Sequence, residues 1–180
     1  MKSGVLFVLC FASSVAASSL SAADSPLLSA PKAAPEPHQP DLLVGLRKGG
    51  KFKGDGVFSS KLVSKQRLSR ESSPGGITTY YRIQNDSKGA MVVPYSLFEV
   101  NGDKSNSRFD VAYFSDKGAN VTANVTRGRY VLNIASDAET SLRQRITPKR
   151  GAAATGPVEV NAENVDTLTK DVAGVLLRVP

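Results

Sequence analysis

From Asp41 onward, apolar and polar residues alternate in short runs, which is the period of half-buried strands. Leu42-Leu43-Val44-Gly45-Leu46 opens as a short apolar run. Residues 77–84 alternate so that Thr79, Tyr81 and Ile83 share one face, and Asn85-Asp86-Ser87-Lys88-Gly89 ends the run. Met91 to Val100 reads as a further strand region in which Pro94 points to an edge or a bulge. The turn-like Asn101-Gly102-Asp103 precedes Phe109-Asp110-Val111-Ala112-Tyr113-Phe114. Strands are then predicted over 121–125, 130–134, 142–146, 158–162 and 172–179. β-branched and aromatic residues fill these runs, and turn signals recur about every 8–12 residues. No window carries a sustained apolar stripe of helical period. The pattern predicts an all-β fold, an antiparallel sandwich of the immunoglobulin-like type, with a barrel as the alternative.

The first two dozen residues follow a different logic. Lys2 gives a positive start, Val5 to Ala12 is continuously apolar, and Ser21-Ala22-Ala23 places small side chains before Asp24. This is the order of a cleavable signal peptide, expected over residues 1–23. Serines from Ser13 onward interrupt the run well short of the roughly 20 apolar residues of a membrane span. The expected location is therefore secreted, periplasmic or at the surface of a bacterial cell, with no transmembrane span after cleavage. Residues 24–40 carry Pro26, Pro31, Pro35, Pro37 and Pro40 without any amphipathic period, and read as an extended linker. The domain proper is expected over 41–180.

Export alters the chemistry available. Cys10, the only cysteine, leaves with the signal, and the only histidine, His38, falls in the linker, where it reads as solvated. A serine–histidine–acid triad, a cysteine nucleophile and a zinc site each need residues this domain lacks. Twelve acidic residues lie between Glu71 and Asp171, but none forms a calcium loop. Asp137 and Glu139 read as a solvated edge; Asp103, Asp110 and Asp116 are the set that loops would have to bring together around a cation. No catalytic, cofactor or metal residue is assigned.

Charge is distributed unevenly. The 157 residues from Asp24 carry 22 basic and 16 acidic side chains, a net charge of +6. Arg47, Lys48, Lys51, Lys53, Lys61, Lys65, Arg67 and Arg70 stand against Asp55 alone, a local net of +7. These eight residues are the candidate anion-binding patch, with Phe52 and Phe58 interleaved. The alternative is a charged loop that keeps an edge strand soluble. Export argues against nucleic acid as the partner and leaves an anionic polysaccharide, or an extracellular or envelope protein.

Several segments in order also resemble a known module. Gln39-Pro40-Asp41-Leu42-Leu43-Val44 and Gly54-Asp55-Gly56-Val57-Phe58 look like the opening of a β-sandwich repeat of bacterial secreted and surface proteins. Tyr81-Arg82-Ile83-Gln84-Asn85-Asp86 resembles its central strand and turn. Phe109 to Phe114 with Asn120 to Thr126, and Leu142 to Lys149, are similar to its later strands. The likeness runs over residues 39–180 and is to the CARDB and NEW3 groups of immunoglobulin-like modules. It implies a spacer, adhesion or binding unit rather than an enzyme. The competing expectation is a secreted, glycan-active hydrolase working through carboxylates at one end of the sandwich.

Overall fold

The computed structural model describes residues 38–88, 91–100, 108–149 and 155–178. The expected signal peptide, residues 24–37 of the linker and the 101–103 turn lie outside them. Among these residues ten strands form two five-stranded sheets. They are β1 (Asp41–Gly45), β2 (Phe52–Lys53), β3 (Arg67–Glu71), β4 (Ile77–Gln84), β5 (Val92–Val100), β6 (Phe109–Ser115), β7 (Tyr130–Ala135), β8 (Glu139–Pro148), β9 (Gly156–Asn164) and β10 (Lys170–Arg178). The first sheet has the order β2-β1-β4-β8-β6 and the second β3-β10-β9-β5-β7. Two separate sheets make this a sandwich rather than a barrel. All neighbours are antiparallel except β3 and β10, which run parallel.

The predicted alternation sets the faces. Thr79, Tyr81 and Ile83 on β4 and Leu142, Gln144 and Ile146 on β8 point inward and are buried, while their neighbours face out. Tyr95 and Leu97 on β5, and Val158, Val160 and Ala162 on β9, meet them from the second sheet. A polar chain threads this apolar layer. Gln144 Oε1 accepts from Thr79 (2.9 Å) and Tyr81 (3.1 Å), its Nε2 donates to Tyr113 Oη (2.9 Å), and Tyr113 donates to Glu99 (2.9 Å). Each group has a partner, which lowers the cost of burying it. Burial, the nearby Glu99 carboxylate and the lack of water hold the Tyr81 and Tyr113 hydroxyls well above the usual phenol range.

Four local readings change. Residues 121–125, expected as a strand, belong to a short helix, α1 (Thr122–Thr126). Asn120 Oδ1 accepts from both the N–H (3.0 Å) and the hydroxyl (2.7 Å) of Thr122, a local turn that competes with strand pairing. Val125 then plugs the core beside β5 and β6. Pro94 lies in β5, which pairs on both sides, but one residue before the β9 ladder begins at Tyr95. The charged stretch after Arg47 holds β2, β3 and a 3-10 turn (Ser64–Gln66) rather than one long loop. His38 is half-buried, not solvated: its carbonyl accepts from Tyr95 Oη (3.2 Å) and Asn164 Nδ2 (2.9 Å), and Gln39 Nε2 reaches Lys170 O (2.9 Å).

Candidate functional site

Seven of the eight bases singled out in the sequence lie on or beside one flank of the sandwich, while Lys48 reaches away from it to Asp116, just past β6 at the opposite edge of the first sheet. Arg47, Lys48 and Lys51 lie in the β1–β2 loop and Lys53 on β2. Lys61 and Lys65 lie on the crossover, and Arg67 and Arg70 on β3. β2 is the outermost strand of one sheet and β3 of the other, and β1 packs against both β10 and β3. The crossover therefore passes from sheet to sheet along a single side. Lys53 Nζ lies 3.5 Å from the Arg67 carbonyl, which joins the two edges. Arg70 stands three residues further along β3, about 10 Å away. There it shares a shallow concavity with Ser69, Glu71 and Arg178. All eight are exposed except Arg67, which is half-buried. Of the eight, only Lys48 is ion-paired among the described residues, with Asp116 at 2.9 Å.

The crossover is held from inside by groups the charge count does not reveal. β2 pairs with β1 only at Val44 and Gly45, so the N–H of Leu42 has no strand partner on that side. Asp171, the second residue of β10, supplies one: its Oδ2 accepts from Leu42 N at 2.7 Å. Its Oδ1 accepts from Ser59 N (2.9 Å), Gln66 Nε2 (2.5 Å) and its neighbour Val172 N (3.0 Å). One buried carboxylate thus ties the first sheet, the crossover and the second sheet together. Asp41 takes the N–H of Gly56 at 2.7 Å, and Gln66 Nε2 also donates to Val57 O at 2.7 Å. Gly54 is required at the entry. Its φ is +110°, and a Cβ there would lie 3.0 Å from the Leu42 carbonyl.

Electrostatics inside this knot are unusual. Loss of water pushes the Asp41 carboxyl up to about 7; the Gly56 hydrogen bond pulls against that, while Asp171, Asp86 and Asp55 add to it. Burial pushes Asp171 to about 6, against the pull of its four donors, led by Gln66. Asp41 Oδ1 and Gln66 Oε1 are buried acceptors without a hydrogen-bond donor. Gln66 cannot flip to relieve this, since its Nε2 sits between two acceptors. The shared sequence signal is a strand that opens on aspartate and continues apolar: Asp41-Leu42-Leu43-Val44 and Asp171-Val172-Ala173-Gly174-Val175.

The acids considered for a cation are separated by their partners. Asp110 pairs with Lys149 (3.6 Å), Asp116 pairs with Lys48 and accepts from Ser141 (2.5 Å), and Asp103 lies outside the described residues. The Ser141 hydroxyl and the Lys48 ammonium together hold the Asp116 carboxyl below its usual range. Asp137 and Glu139 are exposed; Glu139 pairs with Arg82 at 3.3 Å. Among the described residues no three His, Cys, Asp or Glu side chains converge as metal ligands, and no helix is long and apolar enough to cross a membrane.

No protein-family model matches the chain, and no curated protein matches it. Three solved structures are similar to it in part. The N-terminal domain of PorA aligns with 77% of this chain and 96% of its own, at a TM-score of 0.40 and 11% identity. A family 123 glycoside hydrolase from Clostridium perfringens aligns with 65% of this chain at a TM-score of 0.40 and 9% identity. The match spans only 23% of that enzyme. The cupredoxin domain of amoB from Nitrosocaldus yellowstonii aligns with 56% of each chain, at a TM-score of 0.31 and 10% identity. The β-sandwich is established by the two sheets themselves.

Proposed function

We propose that this protein is a non-enzymatic binding module, working at or outside the cell envelope, that holds anionic polymers along its basic flank. The observation that carries this reading is the flank itself. Seven of its eight bases have no acid partner among the described residues. Five of these, Lys53, Lys61, Lys65, Arg67 and Arg70, sit on edge strands and on a crossover pinned by Asp171 and Gln66. Cations already ordered on a frame lose less freedom on binding than cations on a free loop. The segments that resemble the CARDB and NEW3 modules, without a family-model match, are in keeping with an adhesive or organising role beside other envelope components, with an acidic surface of an envelope protein as the other partner. A carboxylate-dependent hydrolase would need two acids converging in an open pocket with a shifted pKa. The two carboxyls pushed furthest upward, Asp41 and Asp171, are both sealed from solvent, where no substrate reaches them.

Salt-dependent retention on heparin tests the reading. The protein is expected to elute well after a neutral β-sandwich of similar size. Neutralising Lys61, Lys65, Arg67 and Arg70 with glutamine should bring elution to lower salt, because exposed charges are screened over about 10 Å at 0.1 M. Elution together with the neutral control refutes it.

A further inference from the structure

The outer face of the first sheet carries a second cationic surface, which the charge run along the chain does not single out. Register aligns Phe52, Gly45, Tyr80, Arg143 and Phe114 in one row across all five strands. At about 4.8 Å per strand the row spans about 19 Å. Gly45 makes its first step possible: a Cβ there would lie 3.0 Å from Phe52 Cδ1, so the bare backbone lets the ring lie over the sheet. The Arg82 guanidinium stacks 4.3 Å above the Phe52 ring, and the Arg143 guanidinium 4.3 Å above Phe114. Arg82 is neutralised by Glu139. Arg143 and its same-face neighbour Arg145 are exposed and have no acid partner among the described residues.

A guanidinium laid flat on a ring keeps its N–H edge free and is already restricted in rotamer, so little further freedom is lost when an anion arrives. Its planar fork matches a carboxylate or sulfate at two points. Two residues along one strand put the Arg143 and Arg145 backbone positions about 7 Å apart on the same face of the sheet. Between the capped rings stands Tyr80, with Thr78 one same-face position away opposite Arg145, and the hydroxyls of both make no hydrogen bond with a described residue. They are neutral groups suited to sugar hydroxyls. A nucleic-acid platform would need open ring faces for base stacking. Here an arginine of the same protein already covers one face of Phe52 and one of Phe114.

We infer that this row is a binding site for an acidic polysaccharide, with Arg143 and Arg145 holding its carboxylate or sulfate groups and Tyr80 packing against a sugar ring. The inference rests on the anionic-polymer reading above and narrows it to one chemical class and one face. The row begins at Phe52, between Lys51 and Lys53, so a chain lying along it continues onto the basic flank.

Calorimetric titration of the protein with polygalacturonate, heparin and inorganic polyphosphate separates sugar recognition from charge. The wild type should bind all three. The double variant Arg143→Gln/Arg145→Gln, at exposed positions, should lose at least about tenfold in affinity for the two sugar polymers and less than about twofold for polyphosphate. Arg143→Lys, which keeps the charge without the fork, should remain weakened toward polygalacturonate. Equal losses for all three polymers, or no loss for the sugars, overturn this site while leaving the flank as the binding surface. A wild type that binds none of the three overturns both proposals.

Discussion

Asp41 is fully buried, its carboxylate accepts one hydrogen bond, and the charges of Asp171, Asp86 and Asp55 add repulsion. Replacing it with asparagine removes a charge that the fold is poorly built to hold. The folded carboxyl is raised to about 7 from an ordinary value of 3.8. Between those values the native state binds a proton that the unfolded chain has released. Stability therefore falls as pH rises from about 4 through 7 and levels off above. The interval sets an upper bound on the order of 4 kcal/mol, at about 1.4 kcal/mol per unit. Asp171, raised to about 6, contributes in the same direction. Asparagine can still accept the Gly56 N–H through Oδ1, and its amide then puts a donor where Asp41 Oδ1 is an acceptor without one. Asp41→Asn should exceed the wild type by on the order of 2 kcal/mol at pH 8 and match it near pH 5. Urea unfolding at pH 5, 6.5 and 8 measures this. Far-UV circular dichroism or tyrosine emission must be the probe, because the chain has no tryptophan. A wild-type profile flat from pH 5 to 8, or a variant less stable by about 1 kcal/mol at pH 8, refutes the reasoning.

Asp171→Ala should act oppositely: it orphans the N–H groups of Leu42 and Ser59, at about 1–3 kcal/mol each, and frees the crossover. Limited trypsin digestion should then cut at Lys61 and Lys65 well before the wild type is cut there; unchanged cleavage would show that Asp171 does not hold this segment. Gln144→Leu strips Thr79, Tyr81 and Tyr113 of a buried partner and should cost about 3 kcal/mol in urea unfolding, against no change if water replaces the amide. Gly76→Ala would place a Cβ 2.3 Å from the Ile146 carbonyl at a φ of +80°. A loss of about 2 kcal/mol or more is expected, and a neutral result would mean that the β3–β4 turn relaxes freely.

The long strands were legible because alternation over eight or nine residues marks a buried face unambiguously, as at Thr79-Tyr81-Ile83. β2 was not, since two residues have no period and Phe52-Lys53 becomes a strand only by lying beside Val44 and Gly45. β3 was hidden for a related reason. Arg67, Ser69, Arg70 and Glu71 are what a protected edge looks like, and a protected edge looks like a loop. α1 was misread because Val121 and Val125 suit either conformation, and Asn120 settles the choice through a side-chain hydrogen bond. The row on the first sheet was invisible to local counting: its members come from five strands between residues 45 and 143, and only the register makes them neighbours.

The parallel pairing of β3 with β10 also fixes when the fold can close. β10 lies between β3 and β9, and it carries Asp171, the group that completes the edge of β1. Until Lys170 to Arg178 are in place, β3 has no neighbour in its sheet, and the crossover lacks its main internal anchor. Contacts this distant along the chain form late and slowly. A chain still being synthesised would therefore stay open at this edge until Lys170 to Arg178 had emerged.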